Sequence, residues 1–485
     1  MKGLLEKWRG IPVEVKSSVA YTICSILQNC IALITLPIFT RLLTKEQYGQ
    51  FTLYSSWQSI LIILLTLNLP YGSFLTAMVK YEDKREEYIA SIQGIMTLLS
   101  GIFLIIYLLF SKYWNMLFHL PTVIMVIMIV EIVMQAALNS WSGQKRFEYK
   151  YISVIIITLI IAVVGPFFAY FLVMNTDEKG YARIIGFSCV NILVGGVLYV
   201  YNFIKGKKFF DKEFWKYALS FNVPLVVYYL SQVIFNQSDR IMIEHFSGLG
   251  ESGVYGVAYT LAMILTFVLN SINNSYVPWM YGQIKTKNQE ANQPVACWIA
   301  VLMAFLLMGV ISLTPEIITI LAGAEYEEAI WIVPPVAISV LLLFYSQLFI
   351  NVQFYYEEKK SLVYASVGAA LVNIILNAAL IPVIGYLAAG YTTLVSYLLF
   401  AYANYKAMIK LLKSRNMQQN LYNLKYLIYI FIVFVILAFT AMALYHYPIA
   451  RFVIDGIVLI GVACNYKNIR KLVIGLKGMD ESKGE

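Results

Sequence analysis

The amino-acid sequence predicts an all-α polytopic membrane protein with about 14 transmembrane helices, arranged as two six-helix bundles around a central cavity plus two C-terminal helices. Its 485 residues are 60% hydrophobic and only 13% charged, whereas a soluble domain is roughly half apolar and a quarter charged. Apolar stretches of about 20 residues recur from Ser18 to Ala463, and each can cross a hydrocarbon core of roughly 30 Å. A similarity between the two halves of the chain is the third observation.

Fourteen helices are predicted along the chain, with interfacial tyrosines and tryptophans near their ends. They lie at about 17–40, 48–69, 88–110, 117–140, 152–174, 182–203, 216–243, 254–277, 295–314, 328–352, 362–382, 386–409, 424–445 and 448–466. Pro70, Gly143, Pro315 and Gly385 fall at the boundaries, where helix-breaking residues are expected.

The positions of lysine and arginine test this helix count. With the N-terminus inside, the inner loops and tails hold 29 of the 36 basic residues. The other seven fall on the outside: Arg41, Lys45, Lys112, Lys179, Arg183, Arg240 and Arg451. One missed helix would reverse the alternation downstream and remove the positive-inside bias. The bias therefore predicts fourteen helices with both termini in the cytoplasm.

An internal repeat relates the two halves. The segment RLLTKEQYGQFTLY begins at Arg41 and GLGESGVYGVAYTL begins at Gly248, and their Tyr-Gly pairs coincide at a separation of 207 residues. The same separation relates the predicted first and seventh helices. The predicted units are a six-helix bundle at 1–210, a second at 211–415, and helices 13–14 with a basic cytoplasmic tail at 416–485. Parallel repeats of this kind place a cavity between the halves and suit alternating access.

Several function classes are disfavoured by the sequence. No GxxxxGK[ST] motif is present, so nucleotide hydrolysis through a P-loop is excluded. The five cysteines lie in apolar runs without CxxC spacing, and the three histidines have no ligand spacing. All connections are short, which leaves no extramembrane domain. The sequence predicts neither an enzyme nor a resident cofactor or metal, and the net charge of +9 belongs to loops rather than to a nucleic-acid surface.

Polar side chains recur inside the predicted helices, often on one helix face. They are Gln28 and Asn29, Asn68, Glu131 with Gln135 and Asn139, Gln232 with Asn236, Asp239 and Arg240, Asn270 with Asn273 and Asn274, Gln347 with Asn351, and Asn373 with Asn377. Two explanations are open for these residues. They line a hydrophilic lumen that hydrogen-bonds sugar hydroxyls, or they are buried amides that join helices.

Charged residues in apolar runs are the sharper candidates, because a charge in the bilayer is costly. Glu131 is interpreted as a proton site, a cation site or the partner of a cavity arginine. Asp239-Arg240 is expected near the outer end of helix 7. With Arg41 at the outer end of helix 1, Arg240 would supply guanidinium groups for a phosphate at an outer gate. The alternative is an interfacial pair from which Arg240 extends to water.

Two segments carry a family resemblance. SSVAYTICSILQNCIALITLPIFTRLLTKEQYGQFTLY and NQSDRIMIEHFSGLGESGVYGVAYTL resemble the helix 1–2 and helix 7–8 segments of Wzx-type lipid-linked oligosaccharide flippases. These belong to the multidrug/oligosaccharidyl-lipid/polysaccharide exporter superfamily. The resemblance covers the whole chain in helix count and repeat. The chain departs from the family's cationic cavity in having few lysines or arginines in mid-membrane.

The resemblance implies a function and partners. An undecaprenyl-diphosphate-linked oligosaccharide would move from the inner to the outer leaflet of the bacterial cytoplasmic membrane, for capsule or O-antigen. Partners would be that glycan substrate, membrane lipids, and a polysaccharide polymerase and glycosyltransferases; the coupling ion, H+ or Na+, is left open. The candidate substrate and cavity residues are Arg41, Glu131, Gln135, Asn236, Asp239, Arg240, Asn270, Asn273, Asn274 and Asn377.

Three alternatives remain at this point. A lipid II flippase and a cation-coupled multidrug exporter are transporters of similar design, although drug exporters usually have twelve helices. A membrane enzyme, such as a polysaccharide polymerase or ligase, belongs to a different class. Such an enzyme usually needs a larger outside loop than this sequence provides.

Overall fold

The computed structural model describes residues 12–286, 288–415, 417, 421–453 and 455–456. Within these residues every regular element is a helix. The sequence-based prediction of an all-α membrane protein is confirmed.

Thirteen long helices, α1 to α13, follow the predicted order. Their bounds are Val13–Leu42, Lys45–Thr66, Arg85–Leu109, Thr122–Phe147, Tyr151–Met174, Lys179–Gly206, Lys212–Ser247, Leu249–Lys285, Asn292–Ser312, Val333–Tyr355, Lys359–Ile384, Ala388–Ser414 and Leu424–Ala443. α8 is interrupted by a 3-10 turn at Met263–Leu265. Six short elements lie between the long helices of the described residues: the helices Phe74–Lys80, Ser111–Phe118 and Thr314–Leu321, and the 3-10 segments Glu82–Lys84, Gln289–Ala291 and Ala324–Trp331.

The helix count can be compared with the prediction for the described part of the chain. Eleven helices there are long and apolar enough to cross a membrane. The two others, α2 and α12, are equally regular but more polar. The predicted fourteenth helix begins as expected, with helical residues at 448–453 and 455–456, and the rest of it lies outside the described residues.

Side-chain caps fix the starts of two helices. Thr44 and Gln47 form a capping box at α2, in which the Gln47 amide donates to Thr44 Oγ1 at 3.3 Å and the Thr44 amide donates to Gln47 Oε1 at 3.2 Å. α2 therefore begins three residues before its predicted start. Asp211 Oδ1 accepts the backbone amides of Glu213 at 3.0 Å and Phe214 at 3.1 Å and so caps α7. These bonds, that from Phe214 first, lower the pKa of the Asp211 carboxyl.

The chain reverses between α7 and α8 through one residue. Gly248 follows the last residue of α7 and precedes the first residue of α8, with φ at 114°. A residue with a Cβ rarely adopts that backbone conformation. The glycine thus permits a helix hairpin with no loop, and α8 begins five residues before its predicted start.

The helices pack in two groups with one main contact between them. In the first group α6 packs on α4 and α5, and in the second α12 packs on α10 and α11. Between the groups, α2 packs against α7 and the first part of α8, and α13 packs outside α9. The predicted division of the chain after residues 210 and 415 stays a prediction. We refer to α1–α6 and α7–α12 as the first and second half.

Two ends of the bundle can be distinguished by charge. α1 begins at the end that also carries the lysine- and arginine-rich connections after α2, α4 and α6, which we call the basic end. The connections after α1, α3, α5 and α7 lie at the opposite end.

Candidate functional site

The two halves are in tight contact at the end opposite the basic end. A Cβ at Gly49 would lie 1.9 Å from the carbonyl oxygen of Leu249, and a Cβ at Gly253 would lie 2.2 Å from the carbonyl oxygen of Lys45. At Gly256 it would meet Thr52 Oγ1 at 2.6 Å. Backbones can approach this closely only where the side chain is a hydrogen atom. The glycines of both Tyr-Gly pairs therefore lie at the contact between the halves.

Polar contacts add to this closure. Thr40 Oγ1 donates to the carbonyl oxygen of Leu321 at 2.8 Å, and His119 Nδ1 lies 2.8 Å from Glu244 Oε1. Both contacts join a residue of the first half to one of the second half. We call this region, centred on the packing of α2 against α8, the sealed end.

The same helices separate toward the basic end. The part of α8 after its 3-10 turn, Thr266–Lys285, packs mainly on α9 and α10 rather than on the first half. Asn270 and Asn274 are exposed on this part. Because exposed amides are unfavourable against lipid tails, we assign this face to an opening between the halves. α7 stays attached to the first half, since Asn222 Nδ2 donates to Ser73 Oγ at 2.8 Å.

A polar cavity of about 390 Å³ lies within the first half. Its polar lining comes from α1, α4, α5 and α6: Gln28, Gln135, Asn139, Ser142, Arg146, Thr158 and Asn191. Gln135 thus lies where the lumen explanation places it, in a cavity wall. Arg146 adds a positive charge, and its guanidinium carbon lies 5.0 Å from the ring centre of Tyr21.

Glu131 is buried beside this cavity with three hydrogen-bond donors. Tyr54 Oη and Ser188 Oγ donate to Oε2 at 2.6 and 2.7 Å, and Asn191 Nδ2 donates to Oε1 at 2.7 Å. The side chain is 4% exposed. Its partners are neutral, so the predicted pairing with a cavity arginine is wrong for the described residues. The interpretations of Glu131 as a proton site or a cation site stay predictions. Asn191 connects the carboxylate to the cavity wall.

Asp239 lies in a second buried cluster, inside the second half. Asn377 Nδ2 donates to Oδ1 at 2.6 Å, while Tyr255 Oη and Thr393 Oγ1 donate to Oδ2 at 2.7 and 2.6 Å. The carboxylate is 1% exposed. The prediction of an exit-side gate residue paired with Arg240 is therefore wrong for Asp239. Neighbouring helix residues point about 100° apart, and here Asp239 points into its own half.

Arg240 points away from that cluster. It bonds to Gln237 Oε1, and its guanidinium carbon lies 4.2 Å from the ring centre of Tyr259. Ile241, the next residue, packs on the core of the first half. Arg240 is half-buried on the side of α7 that faces the first half. The position of Arg240 therefore fits the predicted contact with a phosphate at an outer gate better than the position of Asp239 does.

Arg41 is exposed at the sealed end. Its Nη2 donates to the carbonyl oxygen of Ile320 at 3.0 Å, one residue before the C-terminus of the short helix Thr314–Leu321. A cation is favourable at a helix C-terminus. The contact therefore gives Arg41 a structural role, and the structure does not bring it to the cavity.

The predicted amides divide between the two explanations. Asn236 Oδ1 accepts from Tyr259 at 3.3 Å and Tyr397 at 2.8 Å, and Asn273 bonds to Gln347. Both join helices of the second half. Asn377 belongs to the Asp239 cluster. Gln135, Asn270 and Asn274 are the predicted residues that face the cavity or the opening.

Sequence reasoning missed several partners. Arg146 was grouped with the inside loops, because the positive-inside rule counts charges without regard to the direction of the side chain. Tyr54, Ser188 and Thr393 gave no signal, since isolated hydroxyls are common in membrane helices. Asn191 could have been found, as a lone amide in the apolar run of the sixth helix.

Arg41→Ala is expected to leave transport within about twofold of wild type, because an exposed hydrogen bond contributes at the low end of the usual range, about 0.5 kcal/mol. Arg240→Ala should lower the rate at least about fivefold, because it removes a half-buried cation–π contact that joins α7 to α8 beside the face of α7 that packs on the first half. Transport by matched amounts of purified protein tests the pair. Equal rates for the two variants would contradict a role in transport for Arg240 that the exposed Arg41 does not share.

The chain is similar to a protein family and to two proteins of Haemophilus influenzae. A family model described as "Polysaccharide biosynthesis protein" matches residues 15–282. A protein named for the Lsg locus of Haemophilus influenzae is 22% identical over 370 residues, which cover 74% of this chain and 89% of that protein. An uncharacterized membrane protein of the same organism is 24% identical over 277 residues, covering 56% of this chain and 66% of that protein.

Solved structures show the same fold. A lipid II flippase MurJ in an inward closed conformation superposes with a TM-score of 0.71 at 14% identity, covering 93% of this chain and 100% of that chain. An inward-facing multidrug resistance transporter of the MATE family superposes with a TM-score of 0.59 at 12% identity, covering 82% of this chain and 98% of that one. Both are transporter folds rather than folds of catalytic enzymes.

Proposed function

The chain belongs to the polysaccharide biosynthesis protein family of membrane flippases, and from this premise we propose that it moves an undecaprenyl-diphosphate-linked oligosaccharide across the bacterial cytoplasmic membrane. The direction is from the inner to the outer leaflet, for a surface polysaccharide such as capsule or O-antigen. The basic end faces the cytoplasm, in keeping with the positive-inside rule. Glycosyltransferases would supply this substrate and a polymerase would use it.

The observation that supports this proposal is the polar cavity in the first half, beside the basic end. A glycan cannot cross hydrocarbon unaided, because each unpaired polar group there costs several kcal/mol. Gln28, Gln135, Asn139 and Asn191 offer both donors and acceptors to sugar hydroxyls. The packing of α2 on α8 prevents passage to the other side in this state. Transport then requires a second state in which the sealed end opens and the basic end closes.

The charged and apolar parts of the substrate need separate contacts. Arg146, at the cavity wall toward the basic end, offers a planar guanidinium group to the diphosphate. The polyprenyl tail stays in the bilayer. It is joined to the headgroup in the cavity through the space between α1 and the second part of α8. Neither helix packs closely on the other there.

Ion coupling is assigned to the Asp239 cluster. One buried carboxylate, which accepts hydrogen bonds only from the neutral groups of Asn377, Tyr255 and Thr393 among the described residues, matches the charge of a single H+ or Na+. Asn377 Nδ2 also donates to Asn373 Oδ1 at 3.2 Å, so Asn373 is connected to the cluster through Asn377. The cluster joins α7, α11 and α12. An ion bound there would favour one arrangement of these helices over another.

The transport test uses purified full-length protein in liposomes that contain a fluorescent polyprenyl-diphosphate oligosaccharide. Wild type should carry the lipid to the leaflet where an added glycosidase can cut it. Empty liposomes give the background. Carriage of lipid II with no carriage of the oligosaccharide lipid would replace the proposed function with a lipid II flippase, and carriage of ethidium alone would replace it with drug export.

In the same assay Arg146→Gln is expected to slow oligosaccharide transport about tenfold, because a charge-assisted bond to phosphate contributes about 1.5–3 kcal/mol. Lys145→Gln is the matched control. Lys145 is the neighbouring basic residue. Its Nζ lies 3.5 Å from Glu148 Oε2, and its side chain is not part of the cavity lining. Equal slowing by both variants would show a general effect of charge at the basic end and would remove Arg146 from the substrate site.

A further inference from the structure

An arginine is buried at the sealed end without an anionic partner. Arg183, in the second turn of α6, is 6% exposed. Its Nε and Nη1 have no hydrogen-bond partner, and within the described residues no carboxylate forms an ion pair with it. A buried charge is strongly unfavourable unless it is paired and hydrogen-bonded. Arg183 therefore requires an explanation beyond packing.

Aromatic rings surround this guanidinium. Its central carbon lies 4.6 Å from the ring centre of Phe39, 4.5 Å from that of Tyr48 and 3.8 Å from that of Phe51. Ring faces attract a cation, but they do not accept its N–H groups in the way an anion does. The cage thus holds the side chain in place and leaves its two free nitrogens ready for an oxygen ligand.

The cage belongs to the first half and the second half covers it. Phe39 lies on α1, and Tyr48 and Phe51 lie on α2. Tyr326, from a 3-10 segment of the second half, lies edge-on to Tyr48 with ring centres 5.9 Å apart, and its side chain is fully buried. Its own hydroxyl is buried without a partner. Separation of the halves at this end would move Tyr326 away and uncover Arg183.

We propose that Arg183 is a diphosphate-binding residue of the state in which the sealed end is open. This inference rests on the proposed function, and it adds an exit-side anion site to the cavity side chains at the basic end. In the sealed state the unpaired charge is a destabilising feature. In the open state the guanidinium reaches the central opening and binds the diphosphate, so the anion favours opening. This position supplies the exit-side charge that the sequence suggested for Arg41.

The experiment measures opening directly on the full chain in nanodiscs. Spin labels replace two exposed residues of the sealed end, Asp177 in the first half and Glu327 in the second, after the five native cysteines have been changed to serine. Distances between the labels are recorded with inorganic pyrophosphate, with sodium chloride at equal ionic strength, and with undecaprenyl diphosphate that carries no sugar.

Pyrophosphate and undecaprenyl diphosphate should each raise the longer-distance population of wild type roughly threefold, and chloride should not. Arg183→Met should lower that population without any anion and abolish the response to pyrophosphate. Arg183→Lys keeps the charge and should keep part of the response, which guards against a folding defect in the methionine variant. Arg41→Gln, at the same end but exposed, should respond as wild type does.

Three results would overturn the assignment. They are an unchanged pyrophosphate response in Arg183→Met, an equal response of wild type to chloride, and no response of wild type to any of the three anions. Oligosaccharide transport measured in parallel separates the two proposals. If wild type carries no oligosaccharide lipid, the proposed function fails; if it does and both Arg183 variants keep wild-type transport and opening, only the exit-side site fails.

Discussion

Gly49→Ala is expected to reduce transport at least about tenfold while leaving the two halves folded. The added Cβ would lie 1.9 Å from the carbonyl oxygen of Leu249, a distance that requires the backbones of α2 and α8 to move apart. Overpacking of this kind costs about 1–3 kcal/mol, and 1.4 kcal/mol changes a population tenfold. The sealed state should therefore lose most of its population.

The measurement combines transport with the reactivity of a cysteine placed at Thr52, which faces Gly256 across the contact. In the alanine variant this cysteine should react faster with a water-soluble maleimide. Gly101→Ala in α3 is the matched control, because a Cβ there meets nothing within 4 Å. Wild-type transport in Gly49→Ala, or equal loss in both variants, would contradict a gating role for the glycine contact.

Asp239→Asn should remove ion-stimulated transport, with a loss of about tenfold or more. The substitution keeps the shape of the side chain but removes its charge. It also places an NH2 group opposite a donor, either Asn377 or the pair Tyr255 and Thr393. A buried donor left without an acceptor costs about 1–3 kcal/mol. Both effects weaken cation binding in the second half.

Transport driven by a Na+ gradient and by a pH gradient, measured separately, checks this expectation and identifies the ion. Asp177→Asn, on an exposed connection, is the control and should keep both responses. If Asp239→Asn retained full stimulation by either gradient, the coupling site would lie elsewhere. Glu131 would then be the first residue to examine, since among the described residues it is a second buried carboxylate with three neutral donors.

Much of the fold was predictable because it depends on local features. Long apolar runs and the positive-inside bias are properties of short segments, and they placed thirteen helices in the correct order. The starts of α2 and α8 were placed too late. A capping box at Thr44 and the φ of Gly248 set these starts, and hydropathy does not register either feature.

The site was less predictable because its partners are distant in sequence. Helix periodicity correctly placed Gln135 on the cavity face of α4. It gave no information on Asp239, whose partners Asn377 and Thr393 come from helices well over 100 residues away. Arg183 was counted as an outside charge for a similar reason: topology rules report which end of a helix a residue occupies and not how deeply it is buried.

The hairpin joined at Gly248 has a mechanical consequence. Because a single residue connects α7 and α8, the parts of these helices near Gly248 must tilt together as one rigid unit. Near its other end α7 is tethered to the first half through Asn222, two residues from Pro224 within the helix. A helix held at that point bends where its backbone hydrogen bonds are interrupted. Flexure is thus directed to Pro224 in α7 and to the 3-10 turn Met263–Leu265 in α8, and these two joints set the path along which the seal can open.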